Sequence, residues 1–177
     1  MGIGDILHGG GGNPLFGKSG EILFSTPCTM SVEIVISWTG GKDVDICACY
    51  NIVPGTIGYG QGASKIEQDG FAAEWTSGDN TDGGPETVKI SYAGERPSLA
   101  DIHFDIHANW YSAGTDSNGN ELSGGGPATV TARDAAGTSM QYTIMPGTSK
   151  HRAANIGDPG VRINFNANGT LKSITSC

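Results

Sequence analysis

The ten residues from Asp101 to Trp110 constrain the fold most. Ile102, Phe104, Ile106, Ala108 and Trp110 alternate there with Asp101, His103, Asp105, His107 and Asn109. Successive side chains of an extended chain point to opposite sides, so this alternation predicts a strand with one face on a core. On a helix the same apolar residues would scatter around the whole circumference.

The pattern recurs along the chain. Between Ser31 and Thr39, Val32, Ile34, Ile36 and Trp38 share one face, opposite Glu33 and Ser37. Between Asp43 and Tyr50, Val44, Ile46, Ala48 and Tyr50 share one face. Further strands are predicted at Glu21–Phe24, Gly70–Thr76 and Glu86–Tyr92, the last with Val88, Ile90 and Tyr92 in phase. Gly40-Gly41 and Pro54-Gly55 mark turns between these runs. Asp134–Gly137 joins Ala128–Arg133 to Ser139–Met145, and Asn166–Gly169 joins Val161–Phe165 to Thr170–Thr175, as two hairpins.

No segment sustains a helical period, and residues 94–100 and 148–155 have room for a turn or two. About ten short strands with glycine-rich turns predict an all-β chain, two antiparallel sheets packed as a sandwich of jelly-roll type. The spacing shows no fixed repeat, which excludes propellers and solenoids.

The first 20 residues behave differently. They hold eight glycines, including Gly9 to Gly12, and so bury little while carrying high chain entropy. Residues 1–18 are predicted to form an extended arm and residues 19–177 a single sandwich domain. Ile3, Ile6, Leu7, Leu15 and Phe16 are spaced through the arm, which a pure spacer does not need. They suit an arm that docks on another subunit.

Charge limits the partners. Ten basic residues face 18 acidic ones, for a net charge of −8. A groove that tracks phosphates needs clustered Lys and Arg, so nucleic acid is not an expected partner. Polybasic attachment to a membrane is excluded on the same ground, and no apolar run approaches the roughly 20 residues of a membrane span. The opening residues lack the basic and apolar regions of a secretory signal, so the expected site of synthesis is the cytoplasm.

Several chemistries lack their residues. There is no Gly-x-Ser-x-Gly elbow, and the four cysteines form no Cys-x-x-Cys pair. The chain is therefore expected not to be an enzyme. Cys47 and Cys49 lie two apart in a strand and are expected to be packed thiols. Cys177 is accessible at the end of the sequence, and if any cysteine bonds, Cys28 of the same or a neighbouring chain is the expected partner. The polar face of Asp101, His103, Asp105, His107 and Asn109 is expected to meet solvent; it offers alternate imidazoles and carboxylates to a transition metal, but no further ligand can be named.

The acidic residues near the first turns carry more chemistry. Asp43 and Asp45 open a strand with both carboxylates on one side, where like charges repel and a hard cation would relieve them. Asp79-Asn80-Thr81-Asp82, with Glu86 beyond, supplies further oxygens. Calcium takes six to eight such oxygens, so the set suits it better than zinc or iron. The same residue types also cap turns by local hydrogen bonding.

The order Asp43-Val-Asp-Ile46, then Gly78-Asp-Asn80 with Glu86 ahead of Val88-Lys-Ile90, then Ile102-His-Phe-Asp-Ile-His107, resembles the TerD family of tellurium-resistance and general-stress proteins. Ala128 to Ile144 is similar to the next part of that pattern, so the resemblance runs over about 30–165. It implies a β-sandwich binding calcium through acidic loops, with Asp43, Asp45, Asp79, Asn80, Asp82 and Glu86 as the ligands. The loop before Glu86 is shorter here than the family's, with fewer carboxylates.

Two functions follow as expectations. The first is a structural subunit of a larger assembly, a virion protein such as a phage capsid decoration or tail component, in homo- or hetero-oligomeric contact with other subunits. The second is a soluble, cytoplasmic, TerD-like calcium-binding stress protein.

Overall fold

A computed structural model describes residues 27–39 and 42–177. The expected arm at 1–18 and the strand predicted at Glu21–Phe24 lie outside the described residues. Ten strands follow in order: β1 (Cys28–Trp38), β2 (Asp43–Tyr50), β3 (Lys65–Gln68), β4 (Phe71–Trp75), β5 (Glu86–Gly94), β6 (His103–Ser112), β7 (Ala128–Asp134), β8 (Ser139–Ile144), β9 (Gly160–Phe165) and β10 (Leu171–Ser176). The described residues include no helix.

The strands form two antiparallel sheets packed as a β-sandwich. One has six strands in the order β3-β4-β5-β1-β7-β8, the other four in the order β10-β9-β6-β2. The alternation dictates what lies between them. Val32, Ile34 and Ile36 of β1 and Val88 and Ile90 of β5 are buried from one side; Val44, Ile46, Phe104, Ile106, Val161 and Ile163 are buried from the other. Tyr50 stitches the layers: its ring meets Phe104 at 4.9 Å and Phe71 at 5.3 Å, and its one hydroxyl proton is shared between the carbonyls of Ala72 and Ser91, at 3.1 and 3.2 Å. Burial of the ring without a partner for the hydroxyl would cost about 1–3 kcal/mol.

Both predicted hairpins are present, as β7–β8 and β9–β10. The strand β3 was not predicted. Its four residues hold a single apolar side chain, Ile66, and Lys65 and Glu67 form an exposed ion pair at 2.6 Å. Such a strand carries no alternation signal because it is short and mostly exposed, with only Ile66 partly buried.

The outer face of β6 corrects another expectation. His103 and Asp105 are half-buried, but His107 and Asn109 are buried. The segment after β8 folds over them. Asn109 donates to the carbonyls of Ser149 and Arg152 and accepts from the Ser149 amide. Arg152 holds Asp158 through two hydrogen bonds, which braces the covering segment.

The edge of β2 is also covered. Ala48 and Ile57 exchange both backbone hydrogen bonds, at 3.0 and 2.9 Å, in an isolated antiparallel bridge. Gly58 has φ +126°, and a side chain there would run into the Ile46 carbonyl. Glycine lets the guarding segment sit close.

Candidate metal centre

The first turn of β2 carries Asp43 and Asp45, both buried, on an otherwise apolar strand. A register irregularity falls between Asp43 and Val44 in the pairing with β6. Such irregularities re-aim a side chain at the edge of a sheet. The β4–β5 loop brings up Asp79 and is fixed to the head of β2 by the Gly83 amide, which donates to the Lys42 carbonyl at 2.7 Å. One carboxylate oxygen from each of Asp43, Asp45 and Asp79 lies within 4.8 Å of the others.

Glu86 completes the acidic ground from the opposite sheet. It opens β5, in phase with Val88, Ile90 and Tyr92, and is 0% exposed. Oε2 accepts from the Trp75 indole at 3.2 Å, while Oε1 has no hydrogen-bond partner. Asp43 Oδ1 and both oxygens of Asp45 are buried without partners as well. Buried polar atoms are normally satisfied, so four unpartnered oxygens at one end of a sandwich require explanation.

Protonation is the chain's own way of bearing them. Burial pushes the Asp45 carboxyl up to about 7, with Asp43 and Asp79 adding repulsion. Burial and the charge of Asp79 push Asp43 up to about 6. Glu86 is pushed up to about 9, chiefly by burial and further by Asp45 and Asp79, against the pull of the Asn80 amide and the Trp75 indole. Asp79, more exposed, is raised by burial alone. A bound cation would reverse these directions, since it favours the charged form.

The six expected ligands therefore divide. Asp43, Asp45 and Asp79 come together, and Glu86 stands outside their cluster but near enough for the charges of Asp45 and Asp79 to raise its carboxyl. Asn80 is half-buried and acts through its backbone amide on Glu86. Asp82 is exposed and stands outside the cluster. The donor set is all oxygen, which suits a hard cation such as Ca²⁺ or Mg²⁺ rather than a soft one. An oxygen spread within 4.8 Å agrees with ligands about 2.3–2.6 Å from one calcium ion.

Sequence reasoning missed how deeply Glu86 is buried, although its phase with Val88 and Ile90 carried the signal. Comparison with known proteins gave no significant match to any family model, curated protein or solved structure.

Proposed function

We propose that this protein is a calcium-binding β-sandwich, in which a hard divalent cation at the head of β2 is part of the folded architecture and the chain binds rather than catalyses. One observation carries the reading: Asp45 is 1% exposed with neither carboxylate oxygen hydrogen-bonded. A carboxylate so placed favours either a proton or a cation. Asp43 and Asp79 lie where a shared cation would draw on all three, and backbone carbonyls and water would supply the remaining oxygens. The resemblance to the TerD family supports the same ligands, and we take the sandwich as a divergent member of that architecture.

The test is a calcium titration of chelator-treated protein, followed by melting temperature and tryptophan fluorescence. Trp75 donates to Glu86, so its emission reports on the site. Binding to the folded state alone raises stability by about 2.7 kcal/mol at a free concentration of 100 Kd. A titration that moves neither signal overturns the site.

The composition of residues 1–18 favours a second level of function, a subunit of a larger assembly such as a virion. Glycine-rich segments with spaced apolar residues order on docking to a partner. Light scattering on the same samples checks it: particles larger than one chain support the assembly, and a monomer at every concentration tested overturns self-assembly.

A further inference from the structure

A second cluster of ligating side chains lies on the outer face of the four-stranded sheet. The register sets it out. Across β2 and β6, Cys47 pairs with His107 and Cys49 with Asp105; across β6 and β9, His107 pairs with Gly160 and Asp105 with Arg162. Cys177, just past β10, donates its amide to the Gly160 carbonyl at 3.1 Å and so joins the same row. Ligating atoms of Asp105, His107 and Cys177, one from each, lie within 4.8 Å of one another.

Three features shape this cluster as a site. A Cβ on Gly160 would stand 2.6 Å from His107 Nδ1, so glycine leaves the space in which the imidazole lies. His107 Nδ1 is 2.8 Å from the Asp158 carbonyl, which fixes the ring. With the proton on Nδ1, the lone pair is left on Nε2, and metal-bound histidines are commonly held by such a backbone carbonyl. Asp105 is oriented by Arg162, which donates to both its oxygens at 3.0 and 2.8 Å. Each oxygen keeps a further lone pair. His103 also approaches Asp105, at 3.7 Å.

The donors are a nitrogen, a sulfur and an oxygen, unlike the all-oxygen set at the head of β2. Borderline-soft divalent ions take such mixtures, zinc foremost. We propose that His107, Cys177 and Asp105 form a zinc-class site distinct from the acidic centre, with Cys177 as its one thiolate and the fourth position open to water. Binding converts the Cys177 thiol to a thiolate and releases its proton to solvent.

The experiment uses the full chain, reduced and held in excess calcium, titrated with Co²⁺ as the spectroscopic stand-in for Zn²⁺. The expected result is a thiolate-to-cobalt charge-transfer band that one equivalent of Zn²⁺ bleaches. Cys177 is exposed, so Cys177→Ser tests the site without disturbing the core. It is expected to abolish the band and weaken zinc binding by about tenfold or more. Cys28→Ser is expected to change neither. A wild-type protein without the band, or a band that survives Cys177→Ser, overturns the proposal. Because calcium is saturating and the band requires sulfur, failure here leaves the acidic centre untouched, and failure there leaves this site untouched.

Discussion

Asp134 and Asp45 are the same residue, both buried, on strands of the same sandwich, yet their surroundings are opposite. Asp134 closes β7. Its Oδ1 accepts from the Thr138 amide at 2.8 Å and its Oδ2 from the Leu171 amide at 3.0 Å. Burial alone would raise its carboxyl, but these backbone donors outweigh burial and hold it below the usual range. Asp45 has no such donors, and burial with like charges raises it. Burial therefore does not decide what a carboxylate is for. The supply of donors does: Asp134 pins a turn to β10 as a charged hydrogen-bond acceptor, whereas Asp45 is left to a proton or a cation.

Three measurements break or sharpen that contrast. The largest effect belongs to Asp134→Ala, which orphans two backbone amides at once. We expect a loss of about 2–4 kcal/mol by chemical denaturation, with no dependence on calcium. A cost below 1 kcal/mol would show that water replaces the carboxylate.

A pH profile gives the intermediate effect. Asp43, Asp45 and Glu86 titrate in the folded state at about 6, 7 and 9, above their ordinary values. The folded protein thus binds more protons than the unfolded chain, and stability falls as pH rises from about 4 toward 9. Asp134 has the opposite sign, since its depressed carboxyl contributes stability above about 4 that is lost only as pH falls further. In chelator, the melting temperature at pH 5 is expected to exceed that at pH 8 by at least about 3 °C. Asp45→Asn should flatten the slope, and calcium should abolish it. A slope unchanged by Asp45→Asn would assign it elsewhere.

The smallest effect is that of Asp82→Asn. This residue is exposed and outside the cluster, so calcium affinity should move by less than about twofold. A larger change by isothermal titration would mean that the β4–β5 loop closes further over the ion.

Alternation made the sandwich legible. Every strand whose apolar residues fall two apart, such as β1 and β6, was located to within a few residues. The edge strand β3 was not, because its four residues are mostly exposed and hold one apolar side chain. At the acidic centre, Asp43 and Asp45 were visible as like charges two apart, since that spacing fixes their side of the strand. Glu86 facing inward was written in its phase with Val88, but a charged residue beside a loop reads first as surface. Long-range coverage was not legible: the burial of His107 and Asn109 depends on a segment some forty residues later. The same limit applied to the thiols. Cys28 lies against the Ala167 carbonyl at the turn end of the β9–β10 hairpin, and Cys177 at its open end. A six-residue strand separates them by roughly 20 Å, so the expected bond within one chain does not fit.

The bridge between Ala48 and Ile57 has a consequence for how copies of this chain meet. An edge strand with free backbone groups is a template on which another polypeptide grows. On β2 the template is already spent locally, and a foreign strand would have to displace both hydrogen bonds and lift the backbone at Gly58 off the Ile46 carbonyl. At the far edges, β8 and β10 lie against one another, and β3 presents alternating Lys65 and Glu67. Among the described residues, strand addition is thus discouraged at each edge. A polypeptide that binds this sandwich would have to grip its faces or loops rather than extend its sheets.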